Sequence, residues 1–409
     1  MTVTIDPERF RESFERYSRV GATDHGGLHR LALSDADREA RDLFVADLEE
    51  LGLEVRVDEV GNIFGRRPGR EDDLAPVLIG SHLDSQPYGG RYDGQLGVLT
   101  ALETLRALED EQVETRRPVE IVNWTNEEGA RFQPSMLGSG VFVGKHSLED
   151  ALAVEDRDGT VLGDELERIG YDGDAECGGY DVHSFLELHV EQGPTLESEG
   201  TPVGIVDGVF GLYWARMRVE GEADHAGPTP MHTRTDALQA ATGAIDRIGT
   251  IPQHLSPDAV VTVGEVSVHP NSINVIPSEV TFTVDLRSFD DGVIEEGIQR
   301  VTEELDAACN RHGTTYEVEE LQRHQSMNFS PTVRSAIDDA SGSTGVEAMH
   351  LLSGAGHDAQ HMDAVTDAGM IFVPSVGGET HNEAEYTEWE DAVDGAKVYA
   401  ATTLNLATE

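Results

Sequence analysis

The sequence is poor in positive charge, and above all in lysine. Lys145 and Lys397 are its only lysines, and 29 basic residues face 78 acidic ones, for a formal net charge of −49. Such a charge repels phosphate groups, which argues against nucleic acid or an anionic membrane as a partner. The acidic residues are spread through segments with clear apolar periodicity, so their excess does not indicate disorder. We interpret it as adaptation to a cell interior of high salt concentration, where ions screen the self-repulsion.

Cysteine is scarce as well, and long apolar runs are missing. Cys177 and Cys309 are far apart and belong to no Cys/His cluster, which argues against a disulfide framework or a thiolate metal site. No run approaches the roughly 18 apolar residues that span a bilayer. Residues 1–9 lack the apolar stretch of a secretory signal. These absences predict a soluble cytoplasmic protein.

The first half of the chain contains helical and extended patterns in alternation. Helical spacing over residues 34–53 and 98–108 alternates with strand-like runs over 54–60, 75–80 and 119–124. Short apolar runs between helices are typical of buried parallel strands. The pattern therefore predicts an α/β domain with functional residues at the ends of its strands.

The middle of the chain has a different pattern. Strand-like alternation occurs over residues 213–220, 260–268, 280–287 and 315–321, and helical spacing over residues 235–248 and 293–309. The order along the chain is strand–helix–strand–strand–helix–strand. This order predicts a small α+β sandwich. The α/β pattern resumes near residue 330 and ends in a helix over 389–406. Because 409 residues suffice for two or three domains of roughly 150 residues each, we predict two.

The predicted fold is therefore α/β with an insertion. Residues 1–211 and 329–409 are expected to form one domain around a mixed, mostly parallel sheet flanked by helices. Residues 212–328 are expected to form the smaller α+β sandwich that interrupts it.

Residues with metal-binding chemistry follow the first buried strand. His82 and Asp84 are two positions apart, and such positions share a face on an extended chain. His82 is a candidate ligand, with Asp84 as a carboxylate that orients the imidazole or tunes the metal. Asp93 follows a glycine pair and can bridge two cations, although it can also cap a helix that begins near Leu96.

Two adjacent carboxylates, Glu127 and Glu128, follow the next buried strand. Their mutual repulsion is unfavourable unless a cation binds or one of them stays protonated. We therefore predict that Glu128 is a metal ligand and that Glu127 is a general base.

Two further histidines, His189 and His381, complete two groups of ligands. If Asp93 is shared, each metal has three protein ligands: His82, Asp93 and His189 for one, and Asp93, Glu128 and His381 for the other. Nitrogen and oxygen ligands without thiolate suit Zn²⁺, and also Mn²⁺, Co²⁺ or Ni²⁺. We predict two divalent ions per chain, with Zn²⁺ as the first choice.

These motifs together resemble the zinc-dependent exopeptidase and amidohydrolase superfamily, peptidase family M20. Within it, the chain is similar to the hydantoinase/carbamoylase branch, which contains N-carbamoyl-L-amino acid hydrolases, β-ureidopropionases and allantoate amidohydrolases. The resemblance covers nearly the whole chain, through DEVGNIFG (58–65), GSHLDSQPYGGRYDG (80–94), NEEGARF (126–132), HVEQGP (189–194), ADHAGPTPM (223–231) and SGAGHDA (353–359). The short spacing from His82 to Asp93, and HVEQGP at His189, favour this branch over the peptidases.

The resemblance implies hydrolysis of the ureido C–N bond of an N-carbamoyl-L-amino acid, with the free amino acid, ammonia and CO₂ as products. Allantoate amidohydrolase, and an N-acyl amino acid hydrolase or dipeptidase, are the alternative enzymes. A metal-binding scaffold without catalysis is the alternative of another class. It is disfavoured because Glu127 accompanies all five ligand residues.

The resemblance also implies residues that contact a small substrate carrying a carboxylate and a ureido group: Gln192, His225, Asn274, Arg287 and His357. His225 is expected to polarise the scissile carbonyl in the active site of a partner subunit. The insertion would then be a lid and dimerisation domain, and the protein a homodimer. Arg287 ends a predicted strand and can bind a carboxylate through two hydrogen bonds.

Two positions depart from the family pattern. Leu212 follows Gly211 where many relatives have Gln-Arg, so a polar substrate contact is missing, which weighs mildly against allantoate and its second ureido group. Pro228 stands where many relatives have threonine, and it stiffens the loop after His225.

Overall fold

The computed structural model of the protein describes residues 3–409, so Met1 and Thr2 of the predicted N-terminal segment lie outside it. The strands are β1 (Glu54–Val57), β2 (Ile63–Arg67), β3 (Val77–His82), β4 (Val119–Trp124), β5 (Ser184–Val190), β6 (Val203–Val209), β7 (Gly211–Glu220), β8 (Val260–Thr262), β9 (Val266–His269), β10 (Glu279–Ser288), β11 (Thr315–His324), β12 (Met327–Asn328), β13 (Ala348–Ser353) and β14 (Asp367–Val373). The helices are α1 (Pro7–Tyr17), α2 (Asp35–Glu50), α3 (Gln95–Asp110), α4 (Leu137–Phe142), α5 (Leu148–Leu152), α6 (Leu162–Ile169), α7 (Thr195–Glu199), α8 (Ala237–Ile248), α9 (Asp291–His312), α10 (Pro331–Thr344), α11 (Asp358–Met362) and α12 (Trp389–Thr408).

The described chain divides into two compact units. The first contains the residues up to Asp207 together with Phe329–Glu409, and the second contains Gly208–Asn328. Short 3₁₀ turns occur at Met231–Thr233, Pro252–His254 and Val376–Gly378. No helix within residues 3–409 is long and apolar enough to cross a bilayer.

The first unit is built around a mixed sheet with strand order β1-β2-β4-β3-β5-β14-β6, in which β13 also pairs with β6. The four central strands, β4, β3, β5 and β14, run parallel. The pairs β1–β2, β2–β4 and β14–β6 are antiparallel. The prediction of a mixed sheet is confirmed, and its parallel part is the centre.

The core of this unit follows from the apolar runs in the sequence. Every residue of β3, β4 and β5 is buried, as expected for strands covered by helices on both faces. Helix α3 is buried along most of its length. It begins at Gln95, and within residues 3–409 no side chain caps its first turn, where Gly94 is the N-cap. The alternative role of Asp93 as a helix cap is therefore wrong.

The second unit is an antiparallel sheet with helices α8 and α9 against one face. Its strand order is β11-β7-β10-β8, and β9 also pairs with β10. Alternate residues of β7, from Tyr213 to Val219, face a core shared with α8 and α9. The pleat leaves the intervening side chains on the other face.

One predicted strand, residues 260–268, is wrong: the segment forms β8 and β9 separately. Thr262 pairs with Asp285 and Val266 with Phe282, which is a shift of one residue in register along β10. Between them, the backbone N–H of Glu265 donates to Thr283 Oγ1 at 3.0 Å. A side-chain acceptor thus replaces a ladder carbonyl, and the strand is interrupted as at a β-bulge.

Candidate metal centre

The predicted ligand residues meet at one end of the central parallel strands. His82 is the last residue of β3, His189 is the penultimate residue of β5, and Glu127 and Glu128 follow β4. Asp93 lies just before α3. Because parallel strands point the same way, their carboxyl ends form a common edge where polar side chains can converge.

The first group of ligand atoms belongs to three buried residues, His82, Asp93 and His189, and all lie within 4.8 Å of one another. Asp93 Oδ1 lies 3.1 Å from His189 Nε2 and 3.6 Å from His82 Nε2. His82 Nε2 is buried without a hydrogen-bond partner among the described residues. A buried polar atom without a partner requires an explanation, and a bound cation supplies one.

The tautomers of both histidines suit this explanation. His82 Nδ1 lies 3.0 Å from the backbone carbonyl oxygen of Asp84, and His189 Nδ1 lies 3.0 Å from that of Val190. A carbonyl oxygen only accepts, so each Nδ1 must carry the hydrogen. When a cation binds and both rings are neutral, each Nε2 can direct a lone pair at it, as a histidine ligand does. In the metal-free chain, burial lowers the pKa of His189, but the hydrogen bond and charge of Asp93 outweigh this and raise it to about 9, so His189 Nε2 then carries a hydrogen.

The second group shares Asp93 with the first. His381 Nε2 lies 3.5 Å from Asp93 Oδ2 and 3.8 Å from Glu128 Oε2, and the ligand atoms of these three residues also lie within 4.8 Å of one another. Glu128 is held by Gln86, whose backbone N–H and side-chain amide donate to its carboxylate at 3.0 and 2.8 Å. Asp93 therefore presents one oxygen to each group, as a bridging carboxylate would.

The electrostatics of the centre also suit bound cations. Burial raises the pKa of Glu127 and Glu128 well above their usual range, and the nearby carboxylates of Asp358 and Asp93 add to this. Burial lowers the pKa of His82 to about 4. Burial opposes ionisation of Asp93, but the hydrogen bond and charge of His189 outweigh it and lower the pKa of Asp93. A divalent cation relieves such repulsion among carboxylates, so the donor set fits a divalent metal centre.

Glu127 lies beside the centre without belonging to either ligand group among residues 3–409. Its Oε2 lies 3.5 Å from His82 Nε2, and its side chain is buried. A carboxylate in this position, next to the candidate metal ligands but outside both groups, is suited to accept a proton from a water molecule in the site.

Asp84 acts differently from the prediction. Its carboxylate lies 3.7 Å from His82 Nδ1, whereas its backbone carbonyl accepts from that nitrogen at 3.0 Å. The carboxylate instead accepts the backbone N–H of Glu127 at 3.2 Å and that of Glu128 at 3.3 Å. The backbone carbonyl of Asp84 thus orients the imidazole of His82, while the carboxylate of Asp84 holds the loop of Glu127 and Glu128.

Two predicted substrate residues lie at the same centre. Gln192 Nε2 donates to Asp93 Oδ2 at 3.1 Å. The buried ring of His357 lies against that of His189, with the ring centroids 4.5 Å apart. Burial and the nearby His189 lower the pKa of His357 well below its usual value. A neutral His357 can therefore pack against His189, a candidate metal ligand.

Comparison with known proteins decides the family. Residues 78–405 match the family described as Peptidase family M20/M25/M40. The chain belongs to this family. It is 42% identical over 403 residues to an N-carbamoyl-L-amino-acid amidohydrolase of Rhizobium meliloti, an alignment that covers 98% of this chain and 97% of the relative. It is 32% identical over 395 residues to the allantoate amidohydrolase of Bacillus subtilis (strain 168), with 96% of both chains covered.

The solved structures agree with this assignment. A crystal structure of a hydantoinase/carbamoylase family amidase from Burkholderia multivorans is 43% identical and matches with a TM-score of 0.94, covering 100% of this chain and 99% of that one. The resemblance to the hydantoinase/carbamoylase branch of the M20 family is therefore confirmed.

The remaining predicted substrate residues of this M20 chain, His225, Asn274 and Arg287, lie in its second unit. The loops of His225 and Asn274 are adjacent, because Ala226 N–H donates to the Asn274 carbonyl at 2.9 Å. His225 Nδ1 accepts from Gly227 N–H at 3.0 Å, so its exposed ring carries the hydrogen on Nε2. The guanidinium of Arg287 donates to Asp285 at 2.9 Å.

The sequence patterns did not predict several features of the M20 site. Asn126, Gln192 and His381 have positive φ angles of 55°, 59° and 54°, and such backbone strain in non-glycine residues clusters at functional sites. Asn126 was detectable in principle, since asparagine is enriched in this region. Glu385, a buried carboxylate hydrogen-bonded near Asp93, follows His381 within an acidic run, and in so acidic a chain its type carries little signal.

Proposed function

We propose that this M20 amidohydrolase cleaves the ureido C–N bond of an N-carbamoyl-L-amino acid. The observation that carries the proposal is the pair of ligand groups joined at Asp93, with Glu127 beside them. The 42% identity to an N-carbamoyl-L-amino-acid amidohydrolase over nearly the full length supports the choice of bond. The enzyme is thus a hydrolase of C–N bonds in linear amides.

The metal ligands we propose are His82, Asp93 and His189 for one ion, and Asp93, Glu128 and His381 for the other. We propose Zn²⁺ as the first choice of metal, with Mn²⁺, Co²⁺ or Ni²⁺ as alternatives. Two such ions at these residues would lower the pKa of a water molecule and polarise the ureido carbonyl. Glu127 takes a proton from the attacking water. It then delivers this proton to the leaving nitrogen, so that one carboxylate serves first as base and then as acid.

Substrate binding completes the proposed mechanism. Arg287 binds the substrate carboxylate through its guanidinium fork, with Asn274 and Gln192 as further polar contacts and His357 beside the metal ligands. Binding at this remote group holds the ureido carbon in a reactive position. His225 donates its Nε2–H to the ureido oxygen, on which negative charge develops as water attacks.

We further propose that His225 acts in the active site of a partner subunit, within a homodimer formed through the second unit. Mixing two inactive proteins tests this. A heterodimer of a His225→Ala chain and a Glu127→Gln chain should regain activity. In one of its two sites, Glu127 comes from the first chain and His225 from the second, and both are intact. Failure of the mixture to regain activity, with subunit exchange shown by mass spectrometry, would contradict action in trans.

Allantoate is the second candidate substrate, since the allantoate amidohydrolase of Bacillus subtilis is similar over nearly the whole chain. Leu212 of β7 and Arg287 of β10 are direct cross-strand partners, so their side chains share a face. An apolar side chain beside the carboxylate-binding arginine offers no hydrogen bond to a second ureido group. This relationship favours a carbamoyl amino acid over allantoate.

A side-by-side assay tests the proposed reaction. Carbamoyl amino acids of both chiralities, β-ureidopropionate, allantoate, N-acyl amino acids and dipeptides are supplied at high salt with added metal, and ammonia and free amino acid are measured. We expect the highest kcat/KM for an N-carbamoyl-L-amino acid, with equal amounts of both products. Faster hydrolysis of allantoate or of an acyl substrate would replace the proposal with that alternative.

We propose, finally, that the enzyme works in a cytoplasm of high salt concentration. A net charge of −49 on 409 residues supports this, because the self-repulsion of so acidic a chain needs screening. Folding and activity should increase with KCl concentration in a titration followed by circular dichroism. Full stability and activity in dilute buffer would contradict the proposal.

A further inference from the structure

We propose that Glu385 is a positioning residue that fixes the bridging ligand Asp93 relative to the ligand His381. This inference rests on the metal centre proposed above. It concerns a residue outside both ligand groups of the described chain, and it assigns a function to a buried carboxylate that the reaction itself does not use.

The hydrogen bonds of Glu385 join two loops that carry ligands. Its Oε1 accepts the backbone N–H of Asp93 at 3.0 Å and that of Tyr92 at 3.2 Å. Glu385 follows His381 by four residues, and Glu385 N–H donates to the Asn382 carbonyl at 3.2 Å within the same loop. One carboxylate oxygen therefore ties the loop of His381 to the backbone of Asp93.

The surroundings of Glu385 are built around its side chain. Glu385 is only 4% exposed. A Cβ atom added at Gly90 would lie 2.0 Å from Glu385 Oε1, so the loop before Asp93 can approach the carboxylate only with glycine at this position. A second tie holds the same loop, since Glu383 accepts from Thr23 Oγ1. The His381 loop is thus held at two points, and of these two glutamates it is Glu385 that accepts the backbone N–H of Asp93.

The position of Asp93 matters because its two oxygens serve different ligand groups. Oδ1 faces His189 and Oδ2 faces His381. A small rotation of its backbone would move both oxygens at once. Without Glu385, the buried N–H groups of Tyr92 and Asp93 would also lose their acceptor. We therefore expect the loss of Glu385 to weaken metal binding, most strongly at the group completed by His381.

Three substitutions separate this function from simple burial. Glu385→Ala removes the acceptor. Glu385→Asp keeps the carboxyl group but withdraws the oxygen by roughly the 1.5 Å of one C–C bond, too far for either hydrogen bond. Glu385→Gln keeps an oxygen that can accept both N–H groups. Glu103→Ala is the control, because Glu103 is also buried and accepts a backbone N–H, that of Asp6. It also accepts from Arg9, so these hydrogen bonds go to the N-terminal segment and not to the loops of Asp93 and His381.

The measurement is metal binding by the full chain at high salt. Chelator-treated protein is titrated with Zn²⁺ or Co²⁺, and ions per chain are counted by mass spectrometry, with affinities from a competing chromophoric chelator. We expect Glu385→Ala and Glu385→Asp to bind one of the two ions about 10–100-fold more weakly, as is typical when an outer-shell partner of a metal ligand is lost. Glu385→Gln and Glu103→Ala should bind both ions like the wild type.

The possible outcomes are distinct. If Glu385→Asp is folded by circular dichroism and binds both ions as tightly as the wild type, the inference is overturned. It is also overturned if Glu103→Ala loses as much affinity, because general destabilisation would then explain the effect. If the wild type itself binds fewer than two ions, the proposed metal centre fails, and the inference fails with it.

Discussion

The carboxylate of Asp84 accepts the backbone N–H of Glu127 at 3.2 Å. Its other oxygen accepts the N–H of Glu128 at 3.3 Å. One buried side chain therefore positions the backbone of both the proposed base, Glu127, and the proposed ligand, Glu128. The residue two positions after His82 therefore connects the end of β3 to the end of β4. This contact is absent from any local pattern in the sequence, because 43 residues separate its partners.

Asp84→Asn should reduce kcat and leave the ion near His82 in place. The asparagine NH₂ would face one of the two N–H donors, so the loop of the glutamates would shift, whereas the backbone carbonyl of Asp84 still orients His82. We expect a loss in kcat of about 10–100-fold, measured with ions per chain. Asp47→Asn is the control, since Asp47 is equally buried and its carboxylate accepts a hydrogen bond from Tyr17 of helix α1. An unchanged kcat for Asp84→Asn would contradict this assignment.

Glu127→Gln should bind both ions and lose turnover. Its amide is close in shape to the carboxylate but cannot accept the proton of the attacking water. General acid–base catalysis contributes roughly 10²–10⁴-fold, so kcat should fall by that factor. Metal content and kcat are measured on the same sample. A variant within about tenfold of the wild type would remove Glu127 from the mechanism.

Gly94→Ala should disrupt the centre through His82. Gly94 has a φ of 62°, and an added Cβ would lie 2.3 Å from the His82 ring. The strained backbone alone costs of order 1–3 kcal/mol, and the ring must also move. We expect weaker metal binding together with a lower unfolding temperature.

Gly52→Ala is the matched control for that substitution. Gly52 has a similar φ of 70°, but a Cβ there would meet nothing within 4 Å. It should lose stability through strain alone and bind metal normally. Equal metal binding by the two variants would show that contact with His82 is unimportant.

The elements and the candidate metal ligands were predictable because their signals are local. The buried run of β4 and the alternation of β7 specify burial on two faces and on one face, respectively. His82, Glu128 and His189 stood out because each follows or ends such a strand. The interruption between β8 and β9 was not predictable, since it depends on Thr283, which comes from another strand.

The supporting residues were the ones that sequence patterns could not supply. Glu385 and the carboxylate of Asp84 function through hydrogen bonds with backbone amides that are distant in the sequence. Because nearly every residue has a backbone amide, the sequence does not indicate which one a carboxylate will bind. In a chain with 78 acidic residues, the few that are buried and hydrogen-bonded resemble the many that are exposed. The motifs led to the resemblance to the M20 family, and that resemblance implied the substrate residues. Only the folded chain distinguishes the carbonyl of Asp84 from its carboxylate.

Metal-free protein should become less stable as pH rises above about 6.5. Burial raises the pKa of Asp84 to about 7, and burial with the nearby Asp93 raises that of Glu385 to about 8, whereas these groups titrate near 4 in an unfolded chain. The folded state then binds more protons than the unfolded state, so the free energy of unfolding falls as pH rises through the folded pKa values. The histidine His82, with a pKa of about 4, titrates below this window.

Bound metal should remove this slope, because cations favour the ionised carboxylates. Thermal unfolding between about pH 6.5 and 8 at constant high salt, with chelator or with saturating Zn²⁺, compares the two forms. We expect the unfolding temperature to fall with pH in chelator and to stay level or rise with Zn²⁺. Parallel curves for the two forms would show that the buried carboxylates do not titrate at the metal centre.

The most direct test of a two-ion amidohydrolase is ammonia release from an N-carbamoyl-L-amino acid during stepwise return of Zn²⁺ to chelator-treated protein at high salt. The structure predicts no release from the metal-free chain and full activity only when the second ion per chain has bound, since Asp93 serves both ligand groups. Full activity with no ion bound, or a plateau at one ion, would contradict it.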